Sequence, residues 1–201
     1  MSYFLPEGYT ERLDAPQMYD EGGTDEWQDE VYREAAKLAD VFDLRAIADI
    51  GTGSGFKLIK YFQNYHTVGY DLEPAIVKLR HKYPTKCWQV LESDFGCYSA
   101  DLVICSDVIE HINDPDFFLA NLKSAYNAWF VISTPDRKLL ERYPKWGKKM
   151  GPPSNGCHVR EWAFNEFRQY MDSHFEVFRH FISNKEQCTQ CMIARMKKVE
   201  L

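Results

Sequence analysis

The stretch Ala48-Asp49-Ile50-Gly51-Thr52-Gly53-Ser54-Gly55-Phe56 places three glycines at alternate positions. Glycine costs about 0.5–1 kcal/mol against alanine inside a regular element. Three in so short a run mark a backbone that turns sharply and lets something come close. The apolar run before it, "RAIADI", reads as a short buried strand, and "GFKLIKYFQNY" after it reads as a helix. A turn from strand to helix offers the free amides of a helix N-terminus to a ligand.

The chain repeats this alternation. "TVGYDL", "CWQVLES", "DLVICSD" and "WFVIS" read as four further strands. One helix falls on "EPAIVKLRHKY", with Pro74 in its first turn, and another is opened by Asp114 and Pro115 and runs to about Asn127. After a long irregular stretch, 135–160, "EWAFNEFRQYMDSH" is a helix, and "FEVFRHFIS" and "CTQCMIARMK" are two closing strands. Strands alternating with helices predict a mostly parallel sheet covered on both faces. The short link "NKEQ" between the last two strands demands an antiparallel pair. The expected fold is therefore α/β, a Rossmann-like doubly wound sheet of seven strands, mostly parallel, with one antiparallel strand near the edge.

Residues 45–201 are expected to form this domain, with 135–160 as an acceptor-side loop. Residues 1–44 precede it as an N-terminal segment and helix that act as a cap or lid. Residues 1–30 hold nine acids against Arg12 alone. A helix is expected from Thr24 as its N-cap, with Trp27, Val31, Ala35, Leu38 and Phe42 forming one apolar face.

The glycine spacing narrows the ligand. A dinucleotide loop needs Gly-x-Gly-x-x-Gly, which puts its third glycine at Phe56. Here the pattern is Asp-x-Gly-x-Gly-x-Gly. Gly51 allows the tight turn, Gly53 a close approach to the ligand, and Gly55 close packing of helix on strand. Asp71 ends the second strand, twenty residues after Gly51, where it can accept from ribose hydroxyls. A helix N-cap before Pro74 is its other reading. Asp94 ends the third strand, where an acid meets an adenine amino group or simply caps a turn. Asp107 ends the fourth. Acids crowding one mouth repel phosphates and suit a cation. S-adenosylmethionine has a sulfonium, a ribose and an adenine, and no phosphate.

These pieces resemble, in order, the motifs of the class I S-adenosylmethionine-dependent methyltransferases. "ADIGTGSG" is similar to their first motif, "VGYDLEP" to the acidic one, "LESDF" to the adenine-side one and "ADLVICSDVIEHINDP" to the fourth. The last piece is especially similar to small-molecule enzymes of the ubiquinone-biosynthesis type. "STPDR…GPP…HVREW" resembles methyltransferases found beside sugar-modifying enzymes. The resemblance implies cofactor contacts from Asp49, Gly51, Thr52, Gly53 and Gly55, from Asp71 and Leu72, from Asp94 and Phe95, and from Ser106 and Asp107. It implies an enzyme that methylates a small acceptor, an oxygen of a sugar-linked or other polar metabolite. The alternative is a non-catalytic protein that keeps the same fold and cofactor site.

Composition limits the partners. The chain has 201 residues, 45% of them apolar, and a net charge of −6. That balance disfavours a general nucleic-acid or anionic-membrane binder, and no "NPPY"-like motif follows the fourth strand. No apolar run approaches the ~20 residues of a membrane span, and "MSYFLPEGYTERLD" lacks the pattern of a signal peptide. Of the six cysteines, Cys87, Cys97, Cys105 and Cys157 read as free thiols of a reduced compartment, which predicts a cytoplasmic protein. Cys188 and Cys191 are a Cys-x-x-Cys without further ligands at zinc spacing, so no metal site is expected.

The catalytic candidates are His111 and His158. His111 follows Asp107 by four residues and is a base or an acceptor-orienting group, or else a histidine bonded to a loop backbone. His158 lies in the irregular stretch, and loops of that length are usually functional or disordered. Arg160 either binds an acidic group or pairs with Glu161. Six basic residues between Arg137 and Lys149, with only Glu141 against them, read as a solvated loop, as a clamp for a phosphorylated or carboxylated acceptor, or as a partner for the acidic N-terminus. Arg137 and Arg160 are the acceptor-binding candidates.

Overall fold

The computed structural model describes residues 3–18, 25–92, 95–96, 99–125 and 127–197. Strands β1 (Ala46–Ile50), β2 (His66–Asp71), β3 (Cys87–Val90), β4 (Leu102–Ser106), β5 (Trp129–Pro135), β6 (Phe175–Asn184) and β7 (Thr189–Met196) form one sheet. Its order is β3-β2-β1-β4-β5-β7-β6. Strands β3 to β5 in that order pair in parallel, and β7 runs antiparallel to both β5 and β6. The expected mixed sheet is present, and the last strand is slotted inside it.

Side chains of the central strands alternate between two cores. Leu102 and Ile104 of β4 face a cluster with Val31, Leu58, Phe62, Ile76 and Leu79, while Val103 and Cys105 face one with Leu119, Leu122, Phe167 and Met171. Helices α1 (Asp29–Phe42), α2 (Phe56–Phe62) and α3 (Glu73–Lys82) therefore cover one face. Helices α4 (Pro115–Leu122) and α6 (Phe164–His174) cover the other, and the short α5 (Arg137–Leu140) follows β5. Burial on both faces explains why β4 is apolar without interruption from Leu102 to Cys105 and β5 from Trp129 to Ile132. The chain winds outward through β1, β2 and β3, then returns to β4 beside β1. That reversal puts the ligand crevice at the carboxyl ends of β1 and β4.

Several boundaries differ from expectation. The first helix begins at Asp29, and Thr24 lies outside the described residues. Trp27 and Phe42 are half exposed, and the buried face is Val31, Tyr32, Ala35 and Ala39. The sheet dictates that face, and a spacing that counted large residues passed over the small Ala39. Helix α4 opens as expected, with Asp114 accepting from the Phe117 amide at 3.0 Å, but stops at Leu122. The stretch 135–160 is not wholly irregular. It contains α5, and Asp136 bridges in parallel to Trp162.

The N-terminal segment straps this stretch to the domain. The Thr10 amide donates to Met150 O at 2.9 Å and the Arg12 amide to Val159 O at 2.8 Å. Trp162 Nε1 donates to Tyr3 O at 3.0 Å, and the Glu161 amide to the Tyr9 hydroxyl at 2.9 Å. At the centre, fully buried Arg160 donates to Glu11 and to the carbonyls of Ile112, at 2.6 Å, and Asn113, at 2.8 Å. Its guanidinium also lies 4.7 Å from the Tyr3 ring centroid. One planar cation thus joins the strap, the chain after β4 and the chain before α6. The acidic N-terminus does pair with this region, and among the described residues it does so through Glu11 and Arg160 and not through the lysines.

Removing that cation strands its partners. Breaking a buried ion pair on one side costs about 3 kcal/mol or more. Arg160→Ala should lower unfolding stability by about that amount in denaturant melts, and Arg160→Lys should recover only part of it, because an ammonium cannot reproduce the fork.

Candidate active site

The glycine loop is built as the spacing requires. Gly51, Gly53 and Gly55 all have left-handed backbones, with φ of +73°, +56° and +71°. A Cβ on Gly51 would lie 2.2 Å from Val108 Cγ2, and one on Gly55 would lie 2.9 Å from Trp88. The Gly51 and Thr52 amides donate to Tyr70 O, at 2.8 and 3.0 Å, which ties the loop to the end of β2. Asp71 accepts from the Gly53 amide at 2.7 Å and from the Leu72 amide at 2.7 Å. It therefore anchors the loop and does not cap α3, whose N-cap is Leu72.

Behind the loop, Asp49 is fully buried. It accepts from the Tyr32 hydroxyl at 2.9 Å and from the Thr52 hydroxyl at 2.7 Å. Burial pushes its carboxyl up to about 6 despite those bonds. In front, the Ser54 hydroxyl donates to Asp25 at 2.5 Å. Asp107 has a left-handed backbone, φ +54°. It accepts from Ser133 at 2.6 Å and from the Gln28 amide nitrogen at 2.9 Å. Ser106 meets Ser133 at 3.0 Å on the floor between β4 and β5. The segment just before α1 thus touches both the glycine loop and the end of β4.

Asp94 lies outside the described residues. Its neighbour Phe95 is buried against Tyr70 and Phe118, with ring centroids 6.2 and 5.6 Å away. Beside it a cavity of about 370 Å³ opens at the ends of β2 and β3, lined by Tyr70, Arg80, Gln89, Val90, Glu92 and Phe95.

The two histidines come together although they lie 47 positions apart in sequence. Their rings meet edge to face, centroids 4.8 Å apart. His111 closes a 3-10 turn (Ile109–His111) directly after Val108, the residue that fills the space over Gly51. Its Nδ1 lies 2.8 Å from Cys157 O, so that nitrogen carries the proton. Burial, with His158 adding to it, pulls the imidazole down to about 4, so His111 is neutral at pH 7. His158 is buried, with Nδ1 2.7 Å from Glu161 Oε1 and Nε2 2.9 Å from Asn155 Nδ2. Glu110, fully buried, accepts from Thr134 at 3.0 Å, and burial raises its carboxyl well above the usual range. Sequence reasoning placed both histidines at the site and passed over Glu110, which sat unremarked between Asp107 and His111.

Arg137 and Arg160 are not free to bind an acceptor. Both are buried, Arg160 as described, and Arg137 donates to Glu166 at 2.5 Å and to Lys149 O. The exposed cations of the loop are Lys138, Arg142, Lys145, Lys148 and Lys149.

A family model described as a methyltransferase domain matches residues 19–182. The fold is shared with a Pyrococcus horikoshii protein at a TM-score of 0.67 and 18% identity, covering 89% of this chain and 95% of that one. It is shared with the Burkholderia thailandensis 1,6-didemethyltoxoflavin-N1-methyltransferase, solved with its substrate and S-adenosylhomocysteine, at 0.62 and 18%, covering 88% and 83%. A small RNA methyltransferase is similar at 0.64 and 17%, covering 92% of this chain and 27% of that one. No curated protein sequence matches. The chain belongs to this methyltransferase-domain family and is an S-adenosylmethionine-dependent methyltransferase. The site fits that donor: three left-handed glycines leave backbone room, and Asp49, Asp71 and Asp107 surround the loop with negative charge.

Two outcomes follow from this geometry. Gly51→Ala adds a methyl in a left-handed backbone and against Val108, and should cost about 2–3 kcal/mol in unfolding experiments. Adding Val108→Ala should recover part of that loss. For Asp49, the folded state holds its proton more tightly than the unfolded state, whose value is the usual 3.8. Its stabilising contribution is full below about pH 4 and is lost as pH rises through about 6. Melting temperatures of Asp49→Asn should therefore decline less between pH 4 and 6 than those of the parent.

Proposed function

We propose that this methyltransferase acts on an oxygen of a small polar metabolite, which sits against His111 and His158. The observation that carries the reading is the histidine pair beside the glycine loop, linked to it through Val108 on Gly51. When bound, S-adenosylmethionine supplies a methyl group on a sulfonium that leaves with the C–S electron pair held by sulfur. The chain then needs to align the acceptor and ease the loss of its proton. Asp71, at the end of β2 and bonded to the Gly53 amide of the loop, is suited to the ribose, because a carboxylate makes strong charge-assisted hydrogen bonds with hydroxyls. The Phe95 cavity suits the flat base. Thr52 and Leu72 follow β1 and β2 on the same side, and Ser106 ends β4 on the floor.

On the acceptor side, Glu161 fixes the His158 ring by holding Nδ1–H, and Cys157 O does the same for His111. His111 then turns a lone pair on Nε2 to the site, and that of His158 becomes available when the Asn155 amide, 2.9 Å from it, turns aside. The segment of residues 25–28, bonded to Ser54 and Asp107, is placed to act as a lid over the crevice. The exposed lysines after α5 favour an acceptor with an acidic group. Arg137 and Arg160 support the wall.

The test is transfer of labelled methyl groups to a panel of hydroxylated metabolites, with and without acidic groups, and to small RNA. Transfer to a metabolite hydroxyl, and none to RNA, is expected. His111→Gln and His158→Gln should lower kcat/KM for that acceptor by about 100-fold or more, in the usual range for a positioned acid–base group. Their calorimetric affinity for S-adenosylmethionine should be unchanged. Transfer to RNA alone, or parental turnover in both variants, would overturn the assignment.

A further inference from the structure

We infer that Glu110, His111 and His158 form a binding site for one divalent first-row transition-metal ion. One ligand atom from each of the three lies within 4.8 Å of the others. With metal bonds of about 2.1 Å, bound ligand atoms stand about 3–4 Å apart, so the three need to close by an ångström or two. The inference deepens the acceptor-site reading and rests on it for the role of the ion, though not for its binding.

Three features of the cluster point to a cation. The first is unmet bonding capacity. Glu110 Oε1 and Glu161 Oε2 are buried and have no hydrogen-bond partner, although each carboxyl group spends its other oxygen well, on Thr134 and on His158. Buried carboxylate oxygens without a donor are costly, and native structures rarely leave them so. Among the described residues no lysine or arginine forms an ion pair with Asp107, Glu110 or Glu161.

The second is the set-up of the imidazoles. Metal-binding histidines usually give their other N–H to a carboxylate or a backbone carbonyl, which fixes tautomer and ring orientation. Both arrangements occur here, Glu161 on His158 Nδ1 and Cys157 O on His111 Nδ1. Each ring is left with Nε2 as its ligand atom. The Asn155 amide now donates to His158 Nε2 and would have to turn aside. Its Oδ1 is held by the Cys157 amide at 3.0 Å, so the movement is confined to one short loop.

The third is the donor set. Two imidazole nitrogens and one carboxylate are borderline ligands, which favour Mn²⁺, Co²⁺ or Zn²⁺ over Mg²⁺ or Ca²⁺. Three protein ligands leave coordination positions open. An acceptor hydroxyl entering one of them loses its proton more readily, because the ion stabilises the alkoxide. The oxygen then forms its bond to the methyl carbon as the C–S bond breaks, and the proton leaves to solvent.

The experiment uses the full chain, stripped with EDTA, dialysed and titrated calorimetrically with CoCl₂, ZnCl₂, MnCl₂ and MgCl₂. One Co²⁺ or Zn²⁺ per chain is expected, at least ten-fold tighter than Mg²⁺, with Co²⁺ giving a visible absorption band. His111→Gln and His158→Gln, checked for folding by thermal melts, should each weaken Co²⁺ binding at least ten-fold and alter that band. His81→Ala, on the exposed side of α3, should change neither. S-adenosylmethionine affinity and methyl transfer, measured separately, report on the functional reading alone. Absence of saturable one-to-one binding by Co²⁺, Zn²⁺ and Mn²⁺ would overturn the metal site even if transfer is intact. Binding that persists unchanged in both glutamine variants would overturn it equally.

Discussion

Val108 presses its methyl group into the space that a side chain on Gly51 would fill. Much of the site hangs on that contact. It brings the chain leaving β4 down onto the loop leaving β1, which fixes the distance between the donor-binding backbone and the 3-10 turn carrying Glu110 and His111. It works only because Gly51 adopts a conformation that side-chain-bearing residues resist. The glycine is selected twice, for its backbone and for its missing volume. A methyltransferase needs donor and acceptor aligned within an ångström or so, and a packing contact between two adjacent strand ends is suited to setting such a distance.

The second support is ionic. Arg160 is wholly buried, yet its donors are matched to Glu11 and two carbonyls from separate parts of the chain. The planar fork suits this task, since it satisfies several acceptors in one plane with little ordering cost. The strap of N-terminal residues, the turn after His111 and the approach to α6 all meet at that one group. His158, two residues before it, inherits its position from the same anchor. The His158 side of the crevice is therefore held by polar contacts, while the loop after β1 is held by glycine packing.

Much of this architecture was legible in the sequence because its signals are local. Glycine spacing, acids at strand ends and the link too short for a crossover each act over a few residues. The misreadings have non-local causes. Trp27 and Phe42 fit a helical period but are half exposed, because the sheet chooses which face of α1 is covered. Arg160 has Glu161 as its sequence neighbour, but its partner is Glu11, 149 positions away, while Glu161 turns to His158. Arg137 belongs to a run of six basic residues, and only folding shows it to be the buried one. The grouping of Glu110, His111 and His158 depends on two loops meeting, which no spacing within either loop could reveal.

The placement of β7 between β5 and β6 has a consequence for how the chain is made. Synthesis runs from the N-terminus, so β5 emerges with its outer edge bare and β6 emerges with no neighbour. Neither the outer edge of β5 nor β6 can pair until residues 189–196 have been synthesised, because β7 is the strand that bonds to both. Through that interval Trp129, Phe130 and Val131 form part of an open, strongly apolar edge of the kind that recruits other chains. The last strand to appear is thus the one that closes the sheet, and a nascent chain stalled before it would be the form most in need of a chaperone.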